Sequence, residues 1–268
     1  MKNKLCAVIV ILFFSFLSSI EITRPFYGIL LEKAFGQDDL LKLETLENAD
    51  LLSDLVIIPE KVENRDELIL MVERINGIDR PLLKLLTNQG VKVRLFEGKL
   101  TDEPLLYYLK WQKPRGWDQD VTWEKVPGSG GSWLISAKIG ASMQGSGHSS
   151  INLELHEIGH TIFKVLKTNP SLAEDFQEVW HEEVNNIFPD KEYFINYSSE
   201  YFAEMFAYYY YSERSNAKMK YRAPKTYQFF VSLPSLNMKS FNHQFFHSMN
   251  PLIKPRFFAL SNYDIHWS

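Results

Sequence analysis

The stretch at residues 151–166 constrains this chain most, because it combines helical periodicity with a histidine spacing that is found in metal sites. Its apolar residues recur every three or four positions, as in the buried stripe of an amphipathic helix: Ile151, Leu155, Ile158, Ile162 and Val165. His156 and His160 are four residues apart, so they project one turn apart from one patch, where two imidazoles can reach one ion. Glu157 follows His156, where a carboxylate can contact a metal-bound water. The motif alone is also compatible with partly buried histidines and a solvated glutamate that bind no metal. Residues elsewhere in the chain must therefore decide between these two interpretations.

The first twenty residues have the pattern of a signal peptide. Lys2 and Lys4 precede an apolar run at 5–17, which is too short for a comfortable membrane span. We therefore expect 1–20 to be an export signal and the protein to be secreted. The small-x-small cleavage signal is poor, so a retained membrane anchor is the alternative; cleavage would leave no stable membrane span. Cys6 is the single cysteine, so the mature chain has no disulfide and no cysteine ligand or nucleophile.

Length and charge limit the remaining classes of protein. The 268 residues suffice for a sizeable core and one or two domains. The formal net charge of -4 provides no basic field, so nucleic acid is not an expected partner.

Between the leader and the motif, the sequence predicts the parts of a small α+β domain. The predicted helices are at 40–52, 65–78 and 80–86, and the predicted strands are at 56–58, 91–96 and 133–139. The 91–96 strand alternates apolar and polar residues, as a half-buried strand does. The 133–139 strand directly precedes the motif helix, and an extended peptide could add to it at the sheet edge.

A loop-like segment at 113–131 contains Trp117 and Trp123. Tryptophans in a loop can wall a substrate pocket, and they can equally fill a small core of their own. Both interpretations stay open from the sequence.

Two helices are predicted after the motif. The first, at 172–187, contains a near-copy of the motif at 181–185, with Asn185 in place of the second histidine; we interpret it as a surface decoy. The second carries Glu200 and Glu204 on one face among aromatic, alanine and methionine residues. Two carboxylates on so apolar a helix are costly to bury without partners, and a metal with its histidine ligands would provide them.

A catalytic zinc site normally has three protein ligands and one open position. The metzincin completion fails, because Phe163 and Leu166 stand where a glycine and a histidine are required. A cysteine ligand is absent from the mature chain, which leaves a downstream glutamate. The spacing predicts Glu200 as the ligand and Glu204 as the acceptor of a ring N–H from a ligating histidine. The reverse assignment stays open on spacing alone.

Four separated blocks resemble those of the anthrax lethal factor catalytic domain and the secreted Pro-Pro endopeptidases. They are the motif at 156–160, the sequence Glu200-Tyr-Phe-Ala-Glu204, Tyr193 seven residues before Glu200, and the segment at 222–229. The resemblance runs from about 82 to 233, and the blocks agree in order and spacing.

The resemblance implies a zincin fold that binds one zinc ion (Zn2+) per chain, with Glu200 as the third ligand beside the two motif histidines. It implies that Tyr193 donates a hydrogen bond to the oxyanion, a role for which Tyr197 competes. Glu157 would be the general base. The expected partner is a protein or peptide substrate, and a monomer is expected.

The sequence departs from this family in several places. In the Pro-Pro endopeptidases, a cationic residue and a tryptophan lie in the loop before the strand. Together with an acidic residue beside the ligand glutamate, they bind proline. Arg115 and Trp117 can fill the first two roles, but Ser199 stands at the acid position, so proline selectivity is only indicated. The long amino-terminal domains of lethal factor have no counterpart, which does not support toxin-style delivery.

We expect a secreted zinc metalloendopeptidase, with a catalytically idle zinc-binding interaction module as the alternative. The expected division is 1–20 signal peptide, 21–60 N-terminal extension, 61–235 catalytic domain and 236–268 C-terminal tail. The tail contains His243 and His247 at ligand spacing but without an acidic neighbour, which is weak evidence for a metal site.

Overall fold

The computed structural model describes residues 26–37, 40–114, 121–237, Phe241 and Phe246. The expected signal peptide, and four of the residues singled out above, lie outside the described part: Arg115, Trp117, His243 and His247. Within the described ranges, no helix is both long and apolar enough to cross a bilayer.

A mixed sheet of five strands forms the amino-terminal half of the fold: β1 (Ile29–Leu30), β2 (Val56–Ile58), β3 (Lys92–Phe96), β4 (Gly128–Ser129) and β5 (Leu134–Lys138). The strand order is β1-β2-β3-β5-β4. The central strands β2, β3 and β5 are parallel, whereas β1 and β4 are antiparallel edge strands. The expected α+β class with a small mixed sheet is confirmed.

Helices surround the sheet and make up most of the chain after it. In chain order they are α1 (Leu41–Glu44), α2 (Ala49–Leu55), α3 (Arg65–Asn76), α4 (Arg80–Asn88), α5 (Leu153–Leu166), α6 (Pro170–Ile187), α7 (Glu192–Asn196), α8 (Ser198–Tyr211), α9 (Glu213–Arg222) and α10 (Pro224–Ser232). Asparagine side chains start three of them, because Asn64, Asn152 and Asn169 each accept a hydrogen bond from a backbone N–H of the first turn. Helix α5 packs against β5 and against α8.

The predicted boundary at residue 60 does not separate two structural units. Strands β1 and β2 pair within the same sheet as β3, and the buried side chains of residues 26–58 belong to the main hydrophobic core. The segment at 21–60 was predicted to be an extension, but its described part completes the sheet and its core.

Strand β3 is buried along its whole length, so the prediction of a half-buried strand was wrong. Both of its neighbours are parallel strands, and central parallel strands are covered on both faces. Lys92 and Arg94 tolerate this burial because each is paired: the Lys92 Nζ lies 2.7 Å from an Asp54 oxygen, and the Arg94 Nε lies 2.6 Å from Glu103 Oε2.

The strand before the motif helix does not form an edge of the sheet. Strand β5 lies between β3 and β4, so it is an interior strand, and Ser136 and Ala137 are paired on both sides. The available edge is β4, which pairs with β5 on one side only.

Candidate metal centre

Two helices bring the expected metal ligands together. Helix α5 carries His156, Glu157 and His160, and α8 carries Glu200 and Glu204. The helices can approach because position 159 is glycine: a Cβ there would lie 2.9 Å from Ala203 Cα, closer than side chains normally come. This close crossing places Glu200 opposite the two histidines.

Three ligand atoms form a small triangle between these helices. His156 Nε2 lies 3.1 Å from His160 Nε2, and Glu200 Oε2 lies 3.5 Å and 3.3 Å from these two nitrogens. A tetrahedral zinc ion with bonds of about 2.0–2.1 Å holds its ligand atoms roughly 3.3 Å apart. The donor set of two imidazoles and one carboxylate therefore fits a zinc ion in kind and in spacing.

Glu204 connects the first imidazole to the start of its own helix. Its Oε2 lies 3.1 Å from His156 Nδ1, and its Oε1 accepts a hydrogen bond of 3.0 Å from the Ile151 N–H. Because a carboxylate can only accept here, Nδ1 donates to Glu204, and in the neutral ring Nε2 then presents its lone pair to the triangle. The side chain is 3% exposed, so this orientation is shielded from water.

Hydrogen bonds between the histidines and the glutamates shift the pKa values of these groups. Burial lowers the pKa of the His156 imidazole, but its hydrogen bonds to Glu200 and Glu204 outweigh burial and raise the pKa to about 10. Burial also raises the pKa of Glu200, but the positive charge of His160 and its hydrogen bonds to both imidazoles hold that pKa well below its usual range. The site thus favours positive charge between its donor atoms.

Glu157 lies in the cleft beside the edge strand. Burial raises the pKa of its carboxyl, and the neighbouring histidines partly oppose this shift. A Cβ at Gly128 would lie 2.9 Å from Glu157 Oε1, and a Cβ at Gly130 would lie 2.2 Å from the Glu157 carbonyl oxygen. Glycines are therefore required where β4 passes over α5, a role that the sequence analysis did not assign to them.

A cleft of about 990 Å³ opens over the triangle. Tyr193 and Ser199 line it, whereas Tyr197 is not among its described lining residues. Trp123 also lines the cleft and packs against a small separate core formed by Phe96, Leu100, Leu106, Leu109 and Val126. Trp123 therefore both faces the cleft and fills a small core, and its role in binding substrate stays a prediction. The roles of Arg115 and Trp117 also stay predictions, because these residues lie outside the described part of the chain.

His148 is a lining residue that the sequence analysis missed. Its Nε2 lies 2.7 Å from the Ala141 carbonyl oxygen, and its Nδ1 lies 2.7 Å from Ser150 Oγ. A carbonyl oxygen only accepts, so Nε2 donates to it, and the ring ties together the two ends of the loop before α5. A single histidine in a Gly/Ser-rich loop gives no spacing signal that could have identified it.

The near-copy of the motif in α6 is not a surface feature throughout. Glu183 is 4% exposed, and it accepts hydrogen bonds from the Thr226 N–H, the Thr226 hydroxyl and the Lys225 N–H. These groups stand at the start of α10, so Glu183 caps that helix, which favours negative charge at its amino terminus. The prediction of a surface decoy was wrong for this residue.

Comparisons with known proteins identify the family to which the chain is similar. Residues 42–233 match the family described as anthrax toxin lethal factor, N- and C-terminal domain. A Pro-Pro endopeptidase of Clostridioides difficile (strain 630) is 39% identical over 188 residues, which cover 70% of this chain and 84% of the relative. A Pro-Pro endopeptidase of Paenibacillus alvei is 35% identical over 184 residues, 68% of this chain and 84% of the relative. A solved structure of the Paenibacillus alvei enzyme superposes with a TM-score of 0.64 at 35% identity, covering 68% of this chain and 99% of that one.

Proposed function

Because the chain belongs to the anthrax toxin lethal factor family, we propose that it is a zinc-dependent endopeptidase with a zincin-like catalytic fold. The observation that carries the proposal is the triangle of His156 Nε2, His160 Nε2 and Glu200 Oε2, whose sides of 3.1–3.5 Å match a tetrahedral zinc site. These three residues would hold one zinc ion and leave a fourth position open to the cleft.

When bound, zinc polarises a scissile carbonyl and lowers the pKa of a water ligand to about 7. The chain's own residues supply the remaining chemistry. To Glu157, which lines the cleft, we assign the role of taking a proton from the attacking water and passing it to the leaving nitrogen. Its raised pKa, which follows from burial, suits a group that must both accept and return a proton.

Tyr193 lines the cleft and is our candidate for donating a hydrogen bond to the developing oxyanion. Loss of one such donor typically lowers the rate about a hundredfold or more. Glu204 does not contact substrate in this scheme. It positions His156 by holding the ring in the tautomer that presents Nε2 to the metal.

The edge strand β4 offers a place for an extended substrate, since its outer side has no partner strand among the described residues. Trp123 at the cleft wall provides an apolar face against which a proline ring can pack. With relatives named Pro-Pro endopeptidases, we propose that proline-containing peptides are cleaved, and that Arg115 and Trp117 contribute to binding them. The leader at 1–20 supports secretion as part of the same proposal.

The proposal can be tested with fluorogenic peptides that contain a central Pro-Pro bond. We expect cleavage that a chelator abolishes and added zinc restores. Glu157→Gln should retain zinc and lose cleavage, because an amide cannot take the water's proton. Glu174→Gln, at an exposed position of α6 outside the cleft, is the matched control.

Continued peptide hydrolysis by Glu157→Gln would refute the assigned mechanism. A wild-type protein that binds zinc but cleaves no peptide would instead support the idle zinc-binding module.

A further inference from the structure

Lysines dominate the cleft wall beyond the metal centre. Among the described residues that line the cleft, the acidic ones are Glu157, Glu200 and Glu204, all at the proposed metal site. Every other charged lining residue in the described part is a lysine: Lys113, Lys164, Lys167, Lys191 and Lys218. The chain as a whole has 33 acidic and 29 basic residues, so its composition does not explain a wall of one sign.

Two of these lysines lie at the carboxyl end of the helix that carries the two motif histidines: Lys164 is in α5, and Lys167 is the residue that follows it. Lys164 and Lys167 follow His160 by four and seven residues, so they continue the same face of α5 towards its carboxyl end. At a rise of 1.5 Å per residue, they stand roughly 6 Å and 10 Å beyond His160 along the helix axis. This pair, which we call the α5 lysines, therefore extends the floor of the cleft away from the scissile position.

The edge strand and the α5 lysines meet at one end of the cleft. A Cβ at Gly131, two residues after β4, would lie 3.5 Å from the Lys164 Nζ. The Lys167 Nζ lies 5.5 Å from the centroid of the Phe163 ring, which also lines the cleft. A peptide laid along β4 would thus pass beside the Lys164 ammonium, and Lys167 lines the same cleft.

The ammonium group of Lys164 lies close enough to Lys167 for the two charges to interact. Burial lowers the pKa of this half-buried ammonium, and the positive charge of Lys167 lowers it further. A substrate carboxylate placed beside the pair would oppose both effects, since it attracts the two charges and offsets their mutual repulsion.

On the premise that the proposed peptidase function is correct, we propose that the α5 lysines select substrates with an acidic residue near the scissile bond. An extended peptide advances about 3.3 Å per residue, so the distances of roughly 6 Å and 10 Å correspond to two and three residues from that bond. The preference falls on one side only, the side that lies over the carboxyl-terminal half of α5.

A purely structural role makes a different prediction. Cations at a helix carboxyl end stabilise the helix through its dipole. In that case, replacing the α5 lysines would lower the stability of the protein without changing its choice among substrates.

The test uses peptides with a central Pro-Pro bond and alanine elsewhere, in which Asp or the isosteric Asn occupies each of the three positions on either side. We expect kcat/KM to be about three- to tenfold higher for Asp than for Asn at the second and third positions of one side. The ratio should shrink between about 0.1 M and 1 M salt, because the screening length falls from about 10 Å to about 3 Å.

Variants of the α5 lysines then locate the effect. Lys164→Met combined with Lys167→Met should bring the Asp/Asn ratio towards one, whereas Lys164→Glu should invert the preference. The matched control is Lys84→Met, at an exposed position of α4 that does not line the cleft, and it should retain the wild-type ratio. An Asp/Asn ratio at or below one at every position, or a ratio that survives the double replacement, would overturn the inference.

These results separate the inference from the proposed function. Chelator-sensitive cleavage of the Asn peptides supports the peptidase whatever the Asp peptides do. If no peptide is cleaved, binding by the zinc-loaded Glu157→Gln protein, followed by fluorescence anisotropy, still decides the selectivity. Tighter binding of Asp than Asn peptides that depends on the α5 lysines supports it, and equal affinities overturn it.

Discussion

A single methyl group at position 159 should disturb the metal centre without altering any ligand. In Gly159→Ala, the new Cβ would lie 2.9 Å from Ala203 Cα, 3.0 Å from Phe206 Cβ and 3.2 Å from the Ala203 carbonyl oxygen. Ordinary carbon–carbon contacts are about 3.5–4.0 Å, so the two helices must separate by roughly 0.5–1 Å. Backbone atoms cannot rotate away as a flexible side chain can, so α8 has to shift as a unit and carry Glu200 with it.

That displacement is large for a metal site. Ligand distances in such sites are normally held within about 0.2 Å, and we expect zinc affinity to fall by about 10–100-fold. The effect on stability is smaller, because overpacking costs about 1–3 kcal/mol while alanine favours a helix over glycine by about 1 kcal/mol. Zinc affinity is therefore the decisive quantity.

The affinity can be measured by competition with a chromophoric chelator, alongside thermal unfolding of the metal-free protein. Gly77→Ala is the control, since the nearest atom to its new Cβ is the Arg74 carbonyl oxygen at 3.3 Å, and no atom of another helix in the described ranges lies within 4 Å of it. Wild-type zinc affinity in Gly159→Ala would refute the argument that the close crossing of α5 and α8 sets the ligand geometry.

Three further predictions concern the pKa of His156, the ligand role of Glu200 and the buried carboxylate of Glu183. Because the pKa of His156 is raised to about 10 before zinc binds, zinc binding at neutral pH should release a proton, and zinc affinity should rise by about tenfold per pH unit up to that pKa. Calorimetry in buffers of different ionisation enthalpy measures the proton release. Zinc binding without proton release would contradict the prediction. Glu200→Ala should abolish zinc binding, whereas Glu204→Ala should weaken it by about 10–100-fold; metal analysis giving the opposite order would reverse the ligand assignment. Glu183→Ala should lower the free energy of unfolding by about 2–4 kcal/mol in urea titrations, because it leaves buried donors at the start of α10 unpaired. The control is Glu182→Ala, at the exposed neighbouring position. Equal effects of the two substitutions would show that the burial of Glu183 is irrelevant.

The sequence determined the local elements and the spacing of groups within them. Apolar periodicity predicts α3, α5 and α6, because this signal acts between residues three or four apart. The pairing of His156 with His160 is fixed in the same way, since both lie on one helix. Glu200 as the third ligand followed from elimination, spacing and family resemblance, and the structure brings its carboxylate to the two histidines.

Only the tertiary structure decided which strand lies at the edge and which polar groups are buried. The two-residue strand β4 is too short to leave a pattern, yet Gly128 within it and Gly130 just after it lie against Glu157 and line the cleft. The alternation of β3 indicated a half-buried strand, but parallel neighbours cover both faces and salt bridges compensate its cations. Contacts between residues distant in sequence likewise decide two further points. They determine whether Lys164 faces bulk water or the cleft, and whether Glu183 is a surface group or a buried cap. Such contacts arise when whole elements pack, as α5 and α8 do at Gly159, and no local pattern encodes them.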